Sequence, residues 1–98
     1  FDLASYAKKT FNMYGGKERK VSLVCDNSMI GVMIDRFSQE ITVVREDEEH
    51  FRINVDIFIS PQFFGWITGL GTGVRIDGPL DVKKDYKAFL ENVLSKYD

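Results

Sequence analysis

Ninety-eight residues, 44% of them hydrophobic and 29% charged, suffice for one domain around one core, leave no room for a second, and argue against disorder. The formal net charge of −2 excludes a general electrostatic attraction to nucleic acid or to an anionic membrane. One cysteine, Cys25, excludes an internal disulfide and a thiolate cage for zinc or iron–sulfur.

The chain opens on Phe1 rather than Met, as an excised fragment would, and passes straight into a helical pattern. Leu3, Ala7, Phe11 and Tyr14 recur at spacings of three and four, with Asp2 as N-cap and Gly15-Gly16 as a stop, which predicts a helix over 2–14. Residues 20–25 alternate Val21, Leu23 and Cys25 against Ser22 and read as a short strand, with Cys25 a buried structural thiol. Asp26-Asn27-Ser28 then offers N-caps to a helix whose face is Met29, Ile30, Met33, Ile34 and Phe37, weakened at Gly31 by up to ~1 kcal/mol relative to Ala.

Residues 40–45 are β-rich through Ile41, Thr42, Val43 and Val44, and Glu46-Asp47-Glu48-Glu49 is a polar turn. Phe51, Ile53, Val55, Ile57 and Ile59 follow at strict period two, interleaved with Arg52, Asn54 and Asp56, which predicts a strand with one wet face. Ser60-Pro61 places an N-cap hydroxyl before a first-turn proline. The helix it opens carries Phe63, Phe64, Trp66, Ile67 and Leu70, and Gly69-Leu70-Gly71 ends it; Trp66 on that face reads as core. Residues 73–76 suit a short strand. After the break at Gly78-Pro79 comes a last helix with a wide apolar stripe of Val82, Tyr86, Phe89, Leu90, Val93, Leu94 and Tyr97.

This order, β-α-β-β-α-β with an extra helix at each end, predicts an α+β fold of the ferredoxin-like kind: an antiparallel four-stranded sheet with helices on one face. It divides the chain into an N-terminal helix, 1–16, leading to an upstream domain, and a ferredoxin-like domain, 17–98. No apolar run approaches the roughly 20 residues that span a bilayer. With no secretory signal in view, the reading is a cytoplasmic protein without membrane partners.

Catalysis needs parts that the sequence does not supply. His50, the only histidine, sits beside the acidic turn at the start of a strand and reads as exposed or strand-pairing. No G-x-S-x-G elbow, P-loop or metal-ligand cluster occurs, so no enzyme, cofactor or metal is expected. The run from Glu46 to Glu49 lacks the spacing of a calcium loop and reads as a solvated hairpin tip. A phosphate loop after the first strand would need glycines and an arginine, where Asp26-Asn27-Ser28-Met29 stands. Stacking of RNA bases on the sheet would need exposed aromatics, and the first strand offers none.

Charge is unevenly spread. Lys8, Lys9, Lys17, Arg19 and Lys20 against Asp2 and Glu18 leave residues 1–24 with a surplus of +3, whereas residues 40–56 carry −4. Lys17, Arg19 and Lys20 together form a candidate site for a phosphate or an acidic partner surface, or else a solvated turn. The opposed patches also suit pairing between subunits.

The segment from Phe1-Asp2-Leu3 to Tyr14-Gly15-Gly16, the strand after it and Met33-Ile34-Asp35-Arg36-Phe37 resemble the region that follows the WYL core in bacterial WYL-domain transcriptional regulators. Phe64-Gly65-Trp66-Ile67, then Gly71, Val74, Pro79, Lys83 and Tyr97, look like that region's end. The resemblance is to the WYL C-terminal extension, or WCX domain, over essentially the whole chain. It implies a ferredoxin-like fold, a homodimer, DNA binding by an upstream part of the full-length protein, and sensing of a nucleic-acid or small-molecule effector. It also singles out Arg36, in the family's "d-r" stretch, and Lys83, where the family often has Arg. Lys at that place keeps the charge and loses the bidentate fork. A stand-alone ligand sensor resembling ACT-type modules shares this element order, and a purely structural dimerisation domain fits it too.

Overall fold

The computed structural model describes residues 17–38 and 41–97, so the helix expected over 2–14 lies outside the described residues. Four strands, β1 (Glu18–Asp26), β2 (Val43–Arg45), β3 (His50–Phe58) and β4 (Val74–Gly78), alternate with helices α1 (Ile30–Phe37), α2 (Pro61–Gly69) and α3 (Leu80–Leu94). The chain order is β1-α1-β2-β3-α2-β4-α3. The strands form one α+β sheet in the order β2-β3-β1-β4, and every neighbouring pair is antiparallel.

The two strands with the clearest alternation lie at its centre. β1 and β3 pair over their full lengths, from Glu18 opposite Phe58 to Asp26 opposite His50. Because side chains alternate across a strand, this register puts Val21, Leu23 and Cys25 on the same face as Phe51, Ile53, Val55 and Ile57. Val74 and Ile76 of β4 extend that face. Met33 and Phe37 of α1, Phe63, Phe64 and Ile67 of α2, and Val82 of α3 close over it, and all of these residues are buried. At roughly 1.5–3 kcal/mol per fully buried apolar side chain, this layer outweighs the surface ion pairs, worth about 0–1 kcal/mol each.

The pairing of β1 with β4 slips between Ser22 and Leu23. Leu23 faces Ile76 and Ser22 faces Gly78, which leaves Asp77 as the extra residue of a bulge. Bulges re-aim side chains, and here the carboxylate of Asp77 is turned onto the face of the sheet opposite α1, α2 and α3.

Local chemistry sets the helix ends. Ser60 caps α2 as expected: its Oγ accepts from the Phe63 N–H at 3.2 Å, with Pro61 in the first turn. Gly71, after α2, has φ +68, a conformation glycine reaches without a Cβ penalty. The caps expected at 26–28 are not used. A 3-10 turn, Asn27–Met29, leads into α1 without a side-chain cap. The reason is competition: Asp26 meets His50 at 3.2 Å and the Asn27 amide donates to the Glu48 carbonyl at 3.0 Å, tying both to the hairpin turn instead. Strand β2 is confined to Val43–Arg45, shorter than the expected 40–45, of which residue 40 lies outside the described residues.

The stripe on α3 is divided. Val82 is buried and Tyr86 and Phe89 pack against the core, but Leu90, Val93 and Leu94 are exposed, as is Tyr97 in the 3-10 turn Ser95–Tyr97 that follows the helix, Leu94 by 67% and Tyr97 by 83%. Leu90 is exposed because it turns to another side of the helix than Phe89, and length accounts for the residues after it. At ~1.5 Å per residue a 15-residue helix runs about 22 Å, against about 13 Å for α2. The last turns of α3 overshoot the elements it rests on.

Candidate functional site

Strand alternation separates the basic residues that adjoin in sequence. Arg19 points toward α3 and forms a two-pronged bond with Asp81, Nη1 to Oδ2 at 2.5 Å and Nη2 to Oδ1 at 3.0 Å. That bond holds the Asp81 carboxyl below its ordinary range. Lys20 belongs to the opposite face and meets Asp56 at 3.6 Å, with most of its side chain in solvent. Lys17 joins Arg19 in a cleft of about 160 Å³ that Ile59, Val82 and Asp85 complete. The surplus of positive charge near the start of β1 is thereby partly neutralised and shared between two faces.

Arg36 lies in the last turn of α1, its guanidinium 5.0 Å from the centre of the Trp66 ring. Such a cation–π contact is worth about 0.5–1 kcal/mol at an exposed site. Trp66 is half-buried and meets Phe37 edge-to-face at 5.6 Å, so it both packs on the core and seats Arg36. Lys83 is elsewhere. Through Phe64, α2 touches Tyr86 and Phe89 of α3, whereas through Trp66 it touches α1. The helix α2 thus stands between Arg36 and Lys83, and the two form no common site.

Lys83 does line a groove of about 350 Å³ between β4 and α3. Ile76, Leu80, Tyr86 and Leu90 give it an apolar lining, and Lys83, Lys84 and Lys87 line it as well. Tyr86 is held in place there. Its ring packs on Phe64 and Phe89, and its hydroxyl donates to Thr68 Oγ1 at 3.0 Å, since the Thr68 hydroxyl already donates to the Phe64 carbonyl. Helical spacing accounts for the lining: residues 80, 83, 84, 87 and 90 share one side of α3, while 82, 86 and 89 turn to the core. The apolar stripe in the sequence held the second set and Leu90, and the resemblance singled out Lys83, whereas Lys84 and Lys87 were legible only as lysines interspersed in a helix.

The face of the sheet opposite α1, α2 and α3 carries a network that sequence reasoning did not single out. Arg52 on β3 donates from Nε and Nη2 to the Glu46 carboxylate, the shorter at 2.6 Å. Its Nη1 donates to Asp77 Oδ2 at 2.7 Å and to Ser22 Oγ at 2.5 Å. Arg75 adds a second cation to Asp77 at 3.4 Å. Arg52 holds both Glu46 and Asp77 below their ordinary carboxylate values. Phe51, the aromatic of this strand nearest to a stacking role, is buried on the other face.

At the hairpin turn, His50 is gripped on both ring nitrogens. Nδ1 lies 2.8 Å from Asp47 Oδ1, and Nε2 lies 3.2 Å from Asp26 Oδ1. Two acceptors for two ring nitrogens favour the doubly protonated imidazolium, and the Asp47 bond, as the leading cause, raises the His50 pKa. Cys25 is buried with a free thiol, pushed up to about 12 by burial and by the neighbouring charge of Asp26. Among the described residues no helix is long and apolar enough to cross a membrane.

The sequence matches no family model and no curated protein.

Proposed function

We propose that this chain is a ferredoxin-like, non-catalytic regulatory domain of a cytoplasmic transcriptional regulator, which senses an effector and joins subunits. The antiparallel order β2-β3-β1-β4 together with the chain order β-α-β-β-α-β supports the ferredoxin-like reading. DNA binding in this reading belongs to an upstream part of the full-length protein, as the WCX resemblance implies.

One observation carries the sensing role: a preformed apolar groove that includes Lys83, flanked by the exposed apolar end of the same helix. A groove suits a ligand, exposed Leu94 and Tyr97 suit a second subunit, and one rigid helix would connect the two.

Light scattering from low to high micromolar concentration, with and without short single-stranded oligonucleotides at several salt concentrations, tests this reading. The expected result is association that the double variant Leu94→Glu/Tyr97→Glu weakens and that the ligand shifts. A monomer at high micromolar concentration, indifferent to ligand, would sink it. Association without any ligand response would instead favour a purely structural dimerisation domain. If Arg36→Ala and Lys83→Ala leave oligonucleotide binding unchanged, neither residue belongs to an effector site.

A further inference from the structure

We infer that the groove between β4 and α3 is a binding site for an amphiphilic carboxylate, an apolar chain or ring bearing one carboxyl group. The inference deepens the sensing role proposed above and rests on it for biological meaning, though not for the binding itself.

Shape and lining both suit a small ligand. Small-molecule sites are typically concavities of ≈ 300–1,000 Å³ with mostly apolar walls and a few charged groups that fix orientation. This groove has about 350 Å³ and is lined by the apolar side chains of Ile76, Leu80, Tyr86 and Leu90 together with three lysines, Lys83, Lys84 and Lys87. The lining is preformed, because Tyr86 is fixed by Thr68 and by the rings of Phe64 and Phe89. A ligand therefore loses little free energy to ordering the site.

Charge favours an anionic end on that ligand. Lys83, Lys84 and Lys87 all line the groove, and among the described residues none of them is held in an ion pair. Asp77, a carboxylate on which the charge of Lys83 acts, is taken up by Arg52 and Arg75. Three lysine cations beside an apolar lining match a ligand with one anionic end and an apolar body. The same lysines oppose a second copy docked symmetrically through this face, since Lys87 at the middle of the stretch 80–94 would meet its own copy. An uncharged apolar occupant would leave all three cations without a partner.

Decanoate, kept below its micelle concentration, is the probe, with decyltrimethylammonium and decanol as controls of equal chain length. Titrations of the isotopically labelled chain are followed by NMR, with helix content checked by circular dichroism. Decanoate should shift the resonances of Ile76, Leu80, Tyr86 and Leu90, and the cationic analogue should not. The double variant Lys83→Gln/Lys87→Gln should weaken decanoate binding about tenfold, the combined effect of two exposed charge pairs. Leu90→Glu, at an exposed position in the groove lining, should abolish it while helix content stays unchanged.

Absence of binding, equal binding of all three amphiphiles, or shifts clustered away from this groove would overturn the inference. So would shifts at Leu80 and Leu90 that follow protein concentration instead of decanoate, because a second copy would then occupy the groove. If decanoate binds as stated and the state of association does not respond, the site stands and the regulatory reading fails. If association responds to oligonucleotides and decanoate does not bind, the regulatory reading stands and this site fails.

Discussion

At the residue scale the titratable groups divide by what holds them. His50 has its pKa raised from an ordinary 6.5, chiefly by the bond to Asp47, so its contribution to stability is complete below that ordinary value and is lost as pH rises through the higher folded one. Asp47 is lowered from 3.8, chiefly by His50, so its contribution is present above that value and lost as pH falls through the depressed one. The hairpin turn is thus best held in mildly acidic solution. The melting temperature should fall as pH is raised from about 6 to about 9, and His50→Gln should flatten that profile; a flat wild-type profile would refute the assignment. The sequence revealed a lone histidine beside acids and not the pair of carboxylates on its two nitrogens, because Asp26 reaches it only through the register of β1 with β3. Arg52 follows the same rule. Its position in an alternating strand was legible, but its partner Asp77 is delivered by a bulge that no local pattern announces. Arg52→Ala should cost about 1–2 kcal/mol in urea unfolding with an unchanged m-value, and Arg52→Lys less, because Lys keeps the charge and loses the fork to Glu46.

At the element scale, reading from sequence succeeded where one local interaction decides and failed where two compete. Ser60-Pro61 has one use, and the Phe63 N–H takes it. Ser60→Ala should therefore lower stability by about 1 kcal/mol, measured by thermal or urea unfolding, with no change in the groove on α3. Asp26-Asn27-Ser28 offered three caps to α1, and the hairpin turn claimed two of those side chains first, so the helix begins on a 3-10 turn. The stripe on α3 was legible as seven apolar positions, but not which of them would face a partner. That depends on how far the neighbouring elements extend, which is set by α2 and β4 and not by α3.

At the scale of the molecule, the strict alternation of β3 and the punctuation at Gly69-Leu70-Gly71 and Gly78-Pro79 were enough to read an α+β chain with a four-stranded antiparallel sheet. Surfaces were not legible in the same way. Arg19 and Lys20 adjoin in the chain and separate across the sheet, whereas Ile76 and Lys83 belong to different elements and meet in one groove. Sequence neighbours share a site only when the backbone period allows it, and for a strand the period of two forbids it to adjacent residues.

The shortness of β2 has its own consequence. β3 is bonded to β1 along all nine residues, but β2 accompanies it only from Phe51 to Ile53. Between Asn54 and Phe58 every second backbone N–H of β3 is directed away from β1, toward an edge where no described strand lies. Amide hydrogen exchange should read this edge as a two-residue rhythm, with protected and rapidly exchanging N–H groups alternating over that stretch and uniform protection over the segment that β2 accompanies. Uniform slow exchange from Asn54 to Phe58 would mean that another part of the protein, or another copy of it, has completed the sheet.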